Sequence, residues 1–421
     1  MADPSVQPLR LTVPEPAFRP GDTPSYDDLD LPAAGDAPRP AVDTPPEDMR
    51  DLAYGLVRVL DDDDNAVGEW NPELSVDTLT TGLRHMLTVR EFDKRMQTAQ
   101  RTGKTSFYMQ CLGEEAIACA SRMVQADGDM NFPTYRQQGL LIADDYPLVD
   151  MMCQIYSNER DPVRGRQLPV MYSSKAQGFF TISGNLATQF SQAVGWAMAS
   201  AIKGDTKVAA GWIGDGSTAE GDFHSALVFA STYNAPVVLN IVNNQWAIST
   251  YQTVARGGAA TFAARGHGFG IPSLRVDGND YLAVYAAAKW ATDRARRSLG
   301  PTLIEWLTYR AGAHSTSDDP SGYRPKDEYE KWPLGDPVER LHRHLAAISD
   351  WSASDRADME AEIREQVAEA QREAERYGTL HDNTAQRDIF EGVFEHMPPH
   401  LERQRAAFLK FGAGSTPGGN S

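Results

Sequence analysis

The sequence predicts an α/β fold. It reads as a doubly wound, mostly parallel sheet with helices on both faces, an extended N-terminal arm and a helical C-terminal region. Three observations predict it. From Ser106 to about Gly312, apolar runs of strand length alternate with amphipathic helical stretches. The first 48 residues carry Pro14, Pro16, Pro20, Pro24, Pro32, Pro38, Pro40, Pro45 and Pro46, which exclude regular helix. After Asp336 the pattern is helical alone. At 421 residues the chain can bury a large core, and it has no internal repeats.

Taken in order, residues 1–48 form a Pro-rich arm, either disordered or extended across a partner. Residues 49–105 begin with a predicted hairpin, Tyr54 to Val59 and Ala66 to Trp70 around the turn Asp61 to Asn65. A long helix follows from Ser75 to Arg101, its stripe made of Leu79, Leu83, Met86, Leu87, Phe92 and Met96. Residues 106–335 hold the α/β domain. Its helices are expected at Asn185 to Lys203, Ser217 to Tyr233 and Tyr281 to Ser298, and its strands at Val208 to Ile213, Val237 to Val242, Arg275 to Val276 and Thr302 to Thr308. Residues 336–421 give helices Val338 to Ile348 and Ser354 to Tyr377, then a Gly/Ser/Pro tail from Gly412.

The most specific signal is one strand-helix-strand unit. Gly214, Asp215 and Gly216 close its first strand, and Asn243 and Asn244 close its second. Parallel strands of a βαβ unit end at the same sheet edge, so Asp215 and Asn244 are expected side by side. The glycines let backbone approach a phosphate, the helix start near Ser217 offers free amides, and a carboxylate with an amide oxygen suits Mg²⁺. That unit can hold a metal diphosphate. Each half alone also reads as a plain surface turn. A dinucleotide site is a second reading, since Gly214-Asp-Gly-Ser-Thr-Ala219 fits G-x-G-x-x-A. Against it, Asp215 would face the pyrophosphate with no metal, and two asparagines stand where a ribose-binding acid is expected.

Several segments carry a resemblance. Gly214-Asp-Gly216 with Asn243-Asn244 resembles the thiamin diphosphate signature. Gln245-Trp-Ala-Ile-Ser-Thr250, Thr181-Ile-Ser-Gly-Asn-Leu-Ala-Thr-Gln189 and Ala313-His-Ser-Thr-Ser-Asp-Asp-Pro320 are similar to the α subunit of the decarboxylase component of bacterial branched-chain 2-oxo acid dehydrogenase complexes. Ser106-Phe-Tyr-Met109, Thr134-Tyr-Arg136, Gly165-Arg-Gln167 and Met397-Pro398 fall in that family's order. The match spans most of the chain.

The resemblance implies a thiamin diphosphate-binding fold and the cofactors thiamin diphosphate and Mg²⁺. It assigns the cofactor to Tyr135, Arg136, Gly184, Leu186, Gly214, Asp215, Gly216, Ser217, Asn244, Trp246 and His314. Mg²⁺ falls to Asp215, Asn244 and the backbone carbonyl of Trp246. Ser183, Thr188 and Gln189 match a monovalent cation (K⁺) site, although their oxygens suit ordinary loop hydrogen bonds equally well. His314 and Ser315 match the catalytic loop, Ser315 aligning with a regulatory phosphoserine of mitochondrial relatives. Read without the family, Arg136 is a surface ion-pair residue and His314 a structural loop histidine. The sequence also departs from the family: Val242 stands where mitochondrial-type subunits carry a second phosphate-binding arginine.

The implied partners are a β subunit in an α₂β₂ heterotetramer, which supplies the glutamate that activates the cofactor, a lipoyl-bearing transacylase core and a branched-chain 2-oxo acid. Two other readings share part of the signal, a pyruvate or acetoin dehydrogenase α subunit and a non-catalytic assembly subunit. The net charge of −18 argues against nucleic acid as partner. No apolar run reaches the roughly 20 residues needed to span a bilayer, and no signal segment opens the chain, so a cytoplasmic location is expected. Cys111, Cys119 and Cys153 have no metal-like spacing and read as reduced core thiols.

Overall fold

A computed structural model describes residues 10–26, 29, 31–378, 389–391 and 394–412. Its strands are β1 (Met130–Phe132), β2 (Ala209–Gly214), β3 (Val237–Asn243), β4 (Trp246–Ala247), β5 (Thr250–Tyr251), β6 (Ser273–Asp277) and β7 (Thr302–Leu307). Among the described residues a five-stranded sheet runs β1-β2-β3-β7-β6, parallel at every pairing. β4 and β5 form a separate antiparallel pair just beyond β3.

Alternation along the strands divides the interior in two. Ala209, Ile213, Val237, Leu239, Ile241 and Leu303 share one core with Phe190, Ala193 and Phe223. These last three lie on the helices Thr188–Lys203 and Gly221–Thr232. Ala210, Trp212, Val238, Val242, Ile304 and Trp306 face the opposite core, shared with α1 (Val76–Arg101), α2 (Glu115–Arg122) and the helix Tyr281–Arg296. The sheet is therefore covered on both faces, as expected. Asn240, a polar side chain inside it, is paired: its Nδ2 donates to the Gly211 carbonyl at 3.0 Å, and Trp306 Nε1 donates to its Oδ1 at 3.0 Å.

The helical expectations hold with shifted ends. Ser75 caps α1, its Oγ accepting from Thr78 N at 3.2 Å, and the predicted stripe is buried. The helix expected from Asn185 starts at Thr188 because Ala187 sits at φ +63°. The helix expected from Ser217 starts at Gly221. Asp215–Ala219 is instead a 3₁₀ turn, closed by Thr218 Oγ1 donating to the Asp215 carbonyl at 2.7 Å, and Glu220 is extended. Beyond residue 336 lie the helices Pro337–Ile348, Ala353–Ala374 and Pro399–Gly412. The tail after Gly412 lies outside the described residues.

The hairpin expected at Tyr54 to Trp70 is a correction. Only a single antiparallel bridge, Leu60 to Ala66, joins its arms, while Val57 pairs in parallel with Val276. The reason is competition for amides. The edge of β6 takes Val57, whose N donates to the Arg275 carbonyl at 2.9 Å, and Asp280 Oδ2 accepts Val59 N at 2.7 Å and Leu60 N at 2.6 Å. Up to Pro45 the described residues of the arm form no helix, as expected, and only its boundary shifts. A 3₁₀ helix, Pro46–Ala53, crosses the expected boundary, and residues before it pack on the chain's own body. Trp70 Nε1 donates to the Pro38 carbonyl at 3.1 Å, Trp290 Nε1 to Pro40 at 2.9 Å, and Tyr26 meets Trp332 edge-on at 5.3 Å. Cys111, Cys119 and Cys153 are free and buried. Among the described residues no helix is long and apolar enough to cross a membrane.

Candidate active site

Register brings the site together. Gly214 pairs with Val242, Val242 with Trp306 and Asn243 with Leu307. Because all three strands run the same way, Asp215, Asn244 and Thr308 leave the sheet next to one another. Here a cavity of about 460 Å³ opens, lined by Tyr135, Arg136, Ser183, Gly184, Leu186, Gln189, Gly214, Asp215, Gly216, Ser217, Asn244, Trp246 and His314 among others. Ser315 lies elsewhere, in a neighbouring hollow beside Tyr108 and Gln110. Thr188 is not among the residues lining either; its Oγ1 donates to the Asn185 carbonyl at 3.1 Å.

One wall is acidic. Asp215 is 2% exposed, and its Oδ2 has no hydrogen-bond partner. Burial pushes its carboxyl up to about 7, with Gly216 N and Arg310 pulling the other way. A buried carboxylate oxygen without a partner is costly unless a cation meets it. Among the described residues no three His, Cys, Asp or Glu side chains gather as a metal site. The available set is one carboxylate, an amide oxygen and a carbonyl, and such a set fits a hard cation that takes its remaining ligands from phosphate and water. Asn244 Oδ1 accepts only a long bond, from Trp246 N at 3.3 Å. The Trp246 carbonyl receives Arg310 Nη1 at 2.8 Å and keeps its second lone pair.

Another part of the lining is cationic and aromatic. Arg136 packs its guanidinium over the Tyr135 ring, 5.1 Å from the centroid, and the Tyr135 and His314 rings meet edge-on at 5.8 Å. Arg136 Nη2 lies 3.2 Å from His314 Nδ1 and donates to the His314 carbonyl. Arg136 is thus buried in the site, and its ion pair is with Glu114, whose Oε1 lies 3.6 Å from Nε. Val242 lines the cavity with an aliphatic side chain.

Sequence reasoning missed Glu114 and Arg310. Glu114 is fixed by Gly113, at φ +94°, where a side chain would strike the Tyr309 carbonyl. Arg310 is 1% exposed and holds the loop around His314. It donates to Trp246 O at 2.8 Å, Ile248 O at 2.9 Å and Tyr323 Oη at 2.7 Å; Tyr323 in turn donates to Asp318 Oδ2, which also accepts His314 N at 2.7 Å. The only signal available for either was position, Glu114 in a Gly-Glu-Glu turn and Arg310 just past a strand end.

The turn after β3 is strained. Gln245 at φ +74° and the β-branched Ile248 at φ +55° bracket Trp246. At the candidate K⁺ position, Gln189 Nε2 donates to the Ser183 carbonyl at 3.0 Å, leaving the buried Oε1 without a partner. Leu168, Leu186 and Ile248, 59%, 51% and 55% exposed, rim the cavity mouth.

Comparison with known proteins agrees with this geometry. The family model described as dehydrogenase E1 component matches residues 83–383, and one described as the N terminal of the 2-oxoisovalerate dehydrogenase E1 alpha subunit matches residues 7–47. The chain is 61% identical over 401 residues to the 2-oxoisovalerate dehydrogenase subunit alpha of Pseudomonas aeruginosa, covering 95% of this chain and 98% of that one. It is 39% identical over 341 residues to the mitochondrial subunit alpha of Mus musculus, covering 81% and 76%. Against subunit alpha 1 of Arabidopsis thaliana it is 37% identical over 351 residues, covering 82% and 73%. With a matched span that takes in the whole sheet and every wall of the cavity, the chain belongs to the dehydrogenase E1 component family.

Proposed function

We propose that this chain is the α subunit of a thiamin diphosphate-dependent branched-chain 2-oxo acid dehydrogenase (3-methyl-2-oxobutanoate dehydrogenase, lipoyl-transferring). It works in the cytoplasm, in an α₂β₂ heterotetramer, and passes the acyl group to a lipoyl arm on a transacylase core. The observation that carries this reading is the unpartnered Asp215 oxygen in a cavity that Asn244, Arg136 and His314 also line. The names of the relatives supply the substrate class.

In this reading Asp215, Asn244 and the Trp246 carbonyl hold Mg²⁺. Arg136 and the amides of the turn at Ser217 take the diphosphate, and Gly184 and Leu186 offer backbone to the ring end. When bound, thiamin diphosphate supplies the nucleophilic carbon and the electron sink for decarboxylation. His314, its Nδ1 facing two guanidiniums, presents Nε2–H to the cavity as a hydrogen-bond donor. A K⁺ ion at Gln189 Oε1 would satisfy that atom.

The test is turnover by the coexpressed αβ complex with 3-methyl-2-oxobutanoate and with pyruvate. Preference for the branched acid is expected. Preference for pyruvate would replace the substrate, and failure to bind thiamin diphosphate would leave an assembly subunit.

A further inference from the structure

We infer that Glu114 is a positioning residue that selects which end of the Asn244 amide meets the cation. The inference rests on the reading of Asp215 and Asn244 as the Mg²⁺ pair. Asn244 Nδ2 donates to Glu114 Oε1 at 2.7 Å. An ionised carboxylate only accepts, so this contact commits the amide nitrogen and leaves Oδ1 as the end available to a metal. Glu114 is 4% exposed and lines the same cavity. An asparagine without such a partner can turn either end to the cavity, and the nitrogen end repels a cation. The same carboxylate lies beside Arg136 Nε, so it steadies the side chain whose Nη2 meets His314. Burial raises the Glu114 carboxyl, while Arg136 and the Asn244 hydrogen bond favour its charged form.

The geometry separates two substitutions. Glu114→Gln keeps an amide oxygen that can accept from Asn244 Nδ2; Glu114→Ala does not. The measurement is calorimetric titration of thiamin diphosphate into the coexpressed αβ complex at a series of Mg²⁺ concentrations, with Asp215→Ala alongside. Removing a charge-assisted hydrogen bond should raise the half-saturating Mg²⁺ concentration by at least about tenfold in Glu114→Ala. Glu114→Gln should stay within about threefold of the parent, since acceptance without charge restores the amide's orientation. Loss of binding in Asp215→Ala with parental Mg²⁺ dependence in Glu114→Ala overturns the inference and spares the metal site. Parental binding in Asp215→Ala overturns the metal site itself.

Should Glu114→Ala fail to assemble, a second pair decides. Asn244→Asp sets two carboxylates against each other and should weaken Mg²⁺-dependent binding. Adding Glu114→Gln then supplies a donor and should recover it. No recovery in the double variant would count against the contact as the orienting one.

Discussion

Nδ1 of His314 lies 3.2 Å from Nη1 of Arg310. A guanidinium can only donate, so Nδ1 accepts and the imidazole proton resides on Nε2. Burial first, then Arg136 and Arg310, push the imidazolium down to about 3 from its ordinary 6.5, against a smaller opposing pull from Asp318. The unfolded chain therefore binds a proton that the folded chain refuses. Stability from this group is present above 6.5 and is lost as pH falls from there toward about 3. Nitrogen NMR of the cofactor-free complex should show His314 neutral with Nε2 protonated from about pH 5 to 8. A midpoint near 6.5 would mean that the two guanidiniums do not face it in solution.

Asp215 gives the opposite sign. Its folded carboxyl, raised to about 7 from 3.8, contributes stability fully present below 3.8 and lost as pH rises through about 7. On the proposed reading Mg²⁺ binds the charged form, so cofactor affinity at fixed Mg²⁺ should fall by up to about tenfold per pH unit below 7 and level off above it. Asp215→Ala should abolish Mg²⁺-dependent binding without unfolding the chain. Calorimetry at pH 6, 7 and 8 checks both, and a flat profile would exclude Asp215 as the titrating ligand.

On the proposed reading Arg136 bears the phosphate charge that the aliphatic Val242 cannot. A charge-assisted contact is worth about 1.5–3 kcal/mol, so Arg136→Ala should weaken thiamin diphosphate binding by at least roughly tenfold. The variant also removes buried packing on Tyr135 and the ion pair with Glu114, so its melting temperature without cofactor serves as the control. Unchanged cofactor affinity would make Arg136 an ion-pair residue of Glu114 and no more.

The two glycines of the turn should separate under substitution. A methyl group on Gly216 would collide with the Cβ of Ala247, whereas one on Gly214 meets nothing within 4 Å. Gly216→Ala should therefore disturb β4 and lower the melting temperature. Gly214→Ala should fold like the parent, yet lose cofactor affinity because its methyl group enters the cavity wall. Equal melting temperatures for the two variants would contradict the packing described.

The site was most legible where chemistry and strand topology coincide. Asp215 and Asn244 are one strand-helix-strand unit apart, and parallel register alone brings them together. Glu114 and Arg310 were not legible because their roles come from contacts across 130 and 62 residues of chain, to Asn244 and to Ile248. The segment Tyr54 to Trp70 had the alternation of a hairpin, but pattern cannot tell which edge will take an amide. Here β6 and Asp280 took them first. The start of the helix Gly221–Thr232 was not legible for a local reason: Ser217 is an ordinary helix-starting residue, and only the turn closed by Thr218 on Asp215 shows that the helix waits until Gly221.

Leu168, Leu186 and Ile248 stand half exposed at the rim of the cavity, while Asp215, Asn244, Arg136 and Trp246 inside it are buried. Whatever protein surface covers that rim shares a boundary with whatever fills the cavity. Occupancy and assembly are then one equilibrium seen from two ends: the factor by which a cover tightens the cofactor is the factor by which the cofactor tightens the cover. Cofactor depletion should register first as subunits coming apart on dilution, and sedimentation of the complex with and without thiamin diphosphate reads that factor directly.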